Sequence, residues 1–414
     1  MHSETLHDSF KMLPSERRAA AWLASIYALR MFGMFMILPV FAMHAPTLSG
    51  GNNVSLVGLA MGIYGLTQAC LQIPLGWASD RWGRKPIIIV GLVVFVLGSV
   101  LGFLATSIET MIAARALQGL GAISAVLSAY LADSTRDEVR SKGMAMIGGA
   151  IGLTFALSLV LSPLLYRFWG LDGLFALTGV LSVLAIIAVL VCLPPAPTHH
   201  SRYDAKGSAM RVLLKADLLR LNFGIFVLHL TQMALFVVVP GLLVNDLGLV
   251  LVEHWKVYLP VLLSSFVIML PIMIWGERHA KTRWVKLASI ALLGLVMCGF
   301  LGWFQQGWAV VVLLGLYFVG FNLLEATLPS WVSRVAPLSH RGLALGVYNT
   351  SQALGLFMGG VVGGVVLDHY GTVAVFQVIL LAIVCWLGAA FGIQALPRRS
   401  RQTTANTPET TVQV

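Results

Sequence analysis

The chain has 414 residues, of which 58% are hydrophobic and only 11% charged, with a formal net charge of +10. A soluble domain carries about 25% charged residues, and a soluble core has no use for bilayer-length apolar runs repeated from end to end. A water-soluble enzyme is thereby excluded, and the positive charge, which alone would suggest nucleic acid, needs another explanation.

The first 18 residues are polar. The apolar run that follows is about 25 residues long, too long for the core of a cleaved signal peptide. It is expected to stay as the first membrane span, since about 20 apolar residues cross a hydrocarbon layer about 30 Å thick. Twelve such spans follow one another, over residues 19–43, 54–78, 86–106, 110–132, 143–166, 173–193, 219–245, 255–275, 285–304, 308–332, 342–367 and 372–395. The long connection 194–218 opens with Pro194-Pro195-Ala196-Pro197. It divides the chain into a polar N-terminus (1–18), a six-helix half (19–193), a linker (194–218), a second six-helix half (219–395) and a polar tail (396–414). The expected fold is an all-α bundle of twelve transmembrane helices in two pseudo-symmetric halves.

Basic residues set the orientation, because loops rich in Lys and Arg stay on the cytoplasmic side. Of the 27 Lys and Arg residues, only Arg167 and Lys256 fall in loops of one side, and Arg30 and Arg115 fall inside spans. All the others lie in loops and termini of the opposite side. This places both termini and the linker in the cytoplasm, and it absorbs the charge without nucleic acid. Cys70, Cys192, Cys298 and Cys385 sit far apart in apolar runs, with neither metal-ligand nor disulfide spacing.

The halves carry a weak internal repeat. Lys142-Gly143-Met144-Ala145-Met146 is similar to Arg341-Gly342-Leu343-Ala344-Leu345 at an offset of 199, and the same offset carries Arg30 onto His229. Repeats of this kind suit a binding site between the halves near the bilayer midplane.

Ionisable groups inside a membrane are costly and mark aqueous cavities or bundle interiors. Four occur: Arg30 in span 1, Arg115 in span 4, His229 in span 7 and Glu325 in span 10. Polar neighbours stand at helical spacing: Gln118 beside Arg115, Asn322 beside Glu325, Tyr64, Gln68 and Gln72 in span 2, and Asn349 and Gln352 in span 11. Spans 1, 2, 4, 7, 10 and 11 are therefore expected to line a cavity, with spans 3, 6, 9 and 12 facing lipid. The plainer alternative is that these groups only join helices by hydrogen bonds. Glu325, as the only carboxylate deep in a span, is the candidate proton carrier.

Between spans 2 and 3 runs Gly76-Trp77-Ala78-Ser79-Asp80-Arg81-Trp82-Gly83-Arg84-Lys85-Pro86. Positive-side topology explains its basic residues but not Asp80 or the glycine spacing. This stretch resembles the signature loop of the major facilitator superfamily. Arg115-Ala116-Leu117-Gln118-Gly119 is similar to the R-x-x-Q-G motif of that family's drug:proton antiporter branch. Leu29 to Met36 and Glu253-His254-Trp255-Lys256-Val257-Tyr258 look like the YajR-type members. Two departures stand out: Ser162-Pro163 replaces a Gly-Pro in span 5, and Gly276-Glu277-Arg278-His279 is a degenerate second signature loop. YajR-type members also carry a C-terminal soluble domain, which is not expected in the tail seen here.

The resemblance implies a proton-driven antiporter exporting small organic compounds by alternating access, resident in a bacterial inner membrane and acting as a monomer. It needs no cofactor, and its partners are a small-molecule substrate, protons and lipid. Gly76, Asp80, Arg81, Gly83, Arg84 and Asp133 would form a conformational switch. In it, Asp80 caps span 11 near Gly342 in the outward-open state and Arg84 reaches Asp133. Alternatives are uptake of an organic anion, suggested by Arg30 and Arg115, and a non-transporting membrane sensor or scaffold. No Walker loop or paired carboxylates support an ATPase or membrane enzyme.

Overall fold

In a bilayer each backbone polar group has to be satisfied within the protein, which leaves helices as the economical way to cross. The computed structural model describes residues 12–194, 212–337 and 340–393. Most of the expected linker and all of the tail 396–414 lie outside them. The helices are α1 (Pro14–His44), α2 (Val54–Trp82), α3 (Arg84–Phe103), α4 (Ile108–Leu120), α5 (Ser124–Asp133), α6 (Asp137–Val191), α7 (Ala216–Asn245), α8 (Trp255–Arg278), α9 (Thr282–Trp303), α10 (Gly307–Val335) and α11 (Arg341–Phe391). No β-strand is present among the described residues.

Local signals fix the ends. Asn53 and Ser107 cap α2 and α4, accepting the Leu56 and Thr110 amides at 3.0 and 3.2 Å. Pro14 starts α1, where its missing N–H costs nothing. The Glu16 carboxylate accepts the Leu13 amide at 2.8 Å and also holds Arg136 at the head of α6.

Among the described residues, ten stretches are long and apolar enough to cross a membrane, and two of these are double length. The 55 residues of α6 would reach about 82 Å if straight. Instead the chain folds back at Gly170, whose φ of 63° only glycine adopts readily. The hydroxyls of Ser158 and Thr178 donate to the adjacent carbonyls of Phe32 and Gly33 on α1 at 3.2 and 3.1 Å. Residues twenty positions apart thus lie at one level, as the two arms of a hairpin require. In α11, Gly371 (φ 77°) does the same. Gly355 lies against the Phe226 carbonyl and Trp386 against Gly224, again at one level of α7. Both 143–166/173–193 and 342–367/372–395 are therefore paired arms, and the described residues are consistent with twelve crossings.

Span 4 is not one helix: it breaks between α4 and α5 at Gly121, beside which the Gly91 carbonyl leaves no room for a Cβ. The faces of α3 and of the arm 171–191 carry uncovered Val90, Val93, Leu97, Val183, Leu184 and Ile187, the apolar surface that lipid contact needs.

The two ends of the bundle differ. At the end that starts α2, Ser55 donates to Asp368 at 2.6 Å. Main chain there meets main chain: Gly58 lies against Gly360 and Gly364, Gly62 against Phe357, and Gly65 against Ala353. At the arginine-rich end, a Cβ placed on Gly148, Gly149, Gly342 or Gly346 would meet nothing within 4 Å. The bundle is closed at the Ser55 end and open at the other.

Candidate functional site

The ionisable groups form two clusters. In the first, α7, α10 and α11 bring together His229, Glu325 and Gln352. The Gln352 amide nitrogen stands 2.7 Å from His229 Nε2 and donates to Glu325 Oε1 at 3.3 Å. His229 Nδ1 faces the Ile225 carbonyl at 3.2 Å. A carbonyl only accepts, so the ring proton belongs on Nδ1 and Nε2 offers its lone pair to the amide. Both hydrogens of one amide are then used. The second carboxylate oxygen, itself buried, lies 3.7 Å from His229 Nε2, and the Glu325 side chain as a whole is 35% exposed. Tyr27, Tyr317 and Tyr348 lie within electrostatic reach of Glu325.

The second cluster lies within α1 to α4. Arg30 donates to the Tyr64 hydroxyl at 2.6 Å, and Arg115 to Gln118 Oε1 at 2.8 Å. Gln118 donates on to Ser99 at 3.0 Å. Both guanidinium carbons lie by the Tyr64 ring, at 5.9 and 5.0 Å, and Arg30 also lies 5.2 Å from the Phe95 centroid. Such contacts stabilise a cation by about 0.5–2 kcal/mol. Neither arginine meets a carboxylate among the described residues, and Arg30 Nε and Nη1 have no partner.

Not every expected cavity residue stands on an open wall. Arg30, Tyr64, Gln68, Arg115 and Gln118 are buried inside the packed helices. Gly98 lets the main chain of Gln118 approach so closely that no side chain could stand between. Asn349 and Gln352 remain half-buried near Glu325. Asn322 points away from Glu325 and donates to Ser265 on α8 at 2.9 Å. The tyrosines around Glu325 and Ser99 beside Gln118 carried no signal beyond residue type.

The signature loop is ordered. Gly83 turns with φ 94°. Arg84 donates to Asp133 at 2.8 Å and to Ser79 at 2.7 Å, and it pairs with Asp80. Arg81 lies 5.9 Å from the Trp77 ring, and Gly76 meets Ala125 at ordinary contact distance. The Arg84–Asp133 pair is thus already present with this end open. Gly342 has nothing near it, so Asp80 serves Arg84 rather than the head of α11 in this state.

Among the described residues no group of three His, Cys, Asp or Glu could hold a metal. The chain matches the profile of the Major Facilitator Superfamily over residues 23–321 and 221–413. It is 42% identical over 393 residues to the inner membrane transport protein YajR of Escherichia coli, covering 94% of this chain and 86% of that one. It is 24% identical to multidrug resistance protein 2 of Bacillus subtilis, covering 82% and 86%. Among solved structures, a bacterial homologue of the human lysosomal transporter Spinster, in an inward-facing and occupied conformation, superposes with a TM-score of 0.69. Identity there is 12%, with 92% of this chain and 96% of that one covered. Together with the fold and the paired polar clusters, these matches establish that the chain belongs to the Major Facilitator Superfamily of membrane transporters and is not an enzyme.

Proposed function

We propose that the protein is a proton-coupled antiporter that exports small organic compounds by alternating access. The observation that carries this reading is the Glu325–His229–Gln352 contact. It holds a carboxylate, an imidazole and an amide together, each from a different membrane-spanning helix. A carboxyl group whose exposure changes as the bundle rocks takes a proton on one side and releases it on the other. The similarity to a multidrug resistance protein supports efflux of organic compounds. The loop charges support cytoplasmic termini, so the open end faces inward and the Ser55 end faces the periplasm. The protein then works as a monomer in the inner membrane without a cofactor, and Asp80 to Arg84 act as a switch.

Glu325→Gln, purified and reconstituted, tests this. Proton flux is followed on addition of a panel of candidate compounds, with thermal stability as control. The mutant is expected to bind compounds but lose proton flux. A stable mutant that still accumulates a compound against its gradient would transfer the coupling role to His229.

A second reading, uptake of an organic anion, is favoured by the two buried guanidinium groups without a carboxylate. Proton and compound moving in the same direction in the same vesicles would select it.

A further inference from the structure

The Glu253 to Tyr258 stretch has no part in the reading above, yet it holds unsatisfied polar groups. His254 is fully buried at the head of α8, and neither of its ring nitrogens has a hydrogen-bond partner. The Leu249 carbonyl is near but completes no bond with it. The Tyr258 hydroxyl, one turn further in, is also buried without a partner. The two rings stand edge to face, 6.2 Å apart. Orphaned buried polar atoms are rare and call for water or a role.

Tyr258 borders a cavity of about 10 Å³ whose surface is apolar, so it is dry in this state. Gln232 and Tyr317 are on its wall. The Tyr317 hydroxyl is bonded to Thr231 at 3.1 Å. Gln232 lies three residues from His229 on α7. Tyr317, Phe321 and Glu325 share one face of α10 at i, i+4 and i+8. Polar side chains thus recur between the Ser55 end and the Glu325 cluster, interrupted in this state by the dry cavity and by one aromatic ring. Phe321 stacks on Tyr317 at 5.9 Å and meets His229 edge-on at 5.8 Å. Phe155, from α6 of the other half, closes on it at 6.3 Å and also touches Phe236 and Phe318.

We propose that His254, Tyr258, Gln232 and Tyr317 are the path by which protons reach Glu325 from the Ser55 end, and that Phe155 against Phe321 is its plug. This rests on Glu325 being the proton carrier. His254 accepts a proton at one nitrogen and gives one up from the other. Once the path is unplugged, Gln232 holds a bridging water by its amide without relaying a proton itself, and each hydroxyl and water accepts one proton and passes one on, so a single proton leaves bulk water and a single O–H forms on Glu325. The exposed Glu253–Lys256 ion pair flanks His254 in the chain and leaves no net charge beside it. With the open end already giving water access to Glu325, an unplugged path would short-circuit the gradient. An apolar constriction that excludes water prevents this. Because α6 supplies Phe155 and also packs on the 3₁₀ turn Leu251–Glu253 above His254, separating the halves at this end would unplug and uncover the path together.

The proton itself is a sufficient probe. Purified variants in phosphatidylethanolamine–phosphatidylglycerol vesicles are loaded with a pH-sensitive dye and given a pH step under a potassium–valinomycin clamp. Phe155→Ala is expected to raise the leak by about tenfold or more over the wild type, through loss of the dewetted constriction. Phe321→Ala is the second variant should the first be unstable, and size-exclusion profiles report folding. Adding His254→Phe, Tyr258→Phe or Glu325→Gln is expected to return the leak to the wild-type level. A leak abolished by Glu325→Gln but untouched by His254→Phe and Tyr258→Phe would overturn the path and leave the carrier reading standing. A leak that survives Glu325→Gln would overturn the carrier reading. No leak from a well-folded plug variant would overturn the plug, and the path with it.

Discussion

Gln352 on α11 donates to Glu325 on α10 across 3.3 Å while the same amide nitrogen faces His229 on α7 at 2.7 Å. One side chain thereby couples the carboxylate to the imidazole, which stand 3.7 Å apart without a hydrogen bond of their own. If His229 takes a proton on Nε2, the amide has to turn its oxygen toward the ring and release Glu325. Gln352→Leu removes both bonds and strands two buried groups, each worth about 1–3 kcal/mol. Proton-driven transport is expected to fall about tenfold or more for a loss of about 1.4 kcal/mol, with a lower melting temperature. Gln352→Glu, which keeps an acceptor but adds a charge, is expected to be worse than Gln352→Leu in transport assays at neutral pH.

Asp80 is held by Arg84 here and is free to move only when the head of α11 arrives. An interaction of that carboxylate with a helix N-terminus contributes up to ~2 kcal/mol, about thirtyfold in an equilibrium constant. Asp80→Asn is expected to bias the molecule toward the state open at the arginine-rich end. Spin labels on α2 and α11 near Trp82 and Arg341 would show longer distances than in the wild type. Arg84→Ala acts differently: it breaks contacts present in this state and should lower stability.

Backbone contact between α2 and α11 closes the Ser55 end, so bulk there opposes closure. A Cβ at Gly360 would overlap the Gly58 carbonyl and the Gly62 main chain. Gly360→Val is expected to favour the opposite state, open at the Ser55 end. Spin labels at Ser55 and Asp368 would move apart. Gly388→Val, which meets nothing and lies outside the switch, is the control and should leave distances unchanged.

Accessibility offers a direct check on the two clusters. In a background without Cys70, Cys192, Cys298 and Cys385, a cysteine at Asn349 is expected to react with a membrane-impermeant thiol reagent from the arginine-rich end. A cysteine at Gln118, fully buried, is expected to stay protected. Equal labelling would mean that the N-terminal cluster is wetter than its packing indicates.

Much of this architecture is legible in the sequence because a bilayer imposes one length and one polarity on each crossing. The spans, the fold-backs and the four ionisable groups within spans all follow from that. What is not legible depends on approach between distant segments. The break in span 4 falls where Gly121 meets the Gly91 carbonyl, a contact no local pattern announces. Lys286 counts as a loop cation by sequence, yet it is 2% exposed with Nζ 3.8 Å from the Trp331 ring. Ser162, a departure from the family pattern, is explained only in three dimensions, where its hydroxyl donates to the Met36 carbonyl of α1. Lining is not legible from residue type, because a polar residue on a helix face is satisfied as well by a neighbouring helix as by water. Gln118 with Ser99, and Asn322 with Ser265, are both of this kind.

The two hairpin bends at Gly170 and Gly371 have a practical consequence. Each turns in the left-handed region with no atom within 4 Å of where a side chain would begin. They project from the end remote from the arginine-rich loops, unburdened by packing. Exposed bends of this sort accept inserted sequence with little loss of stability. A short epitope spliced in at either bend would stand in the periplasm if the termini are internal. Antibody staining of spheroplasts, stripped of the outer membrane but with the inner membrane sealed, would then reveal the sidedness of the whole molecule in one observation.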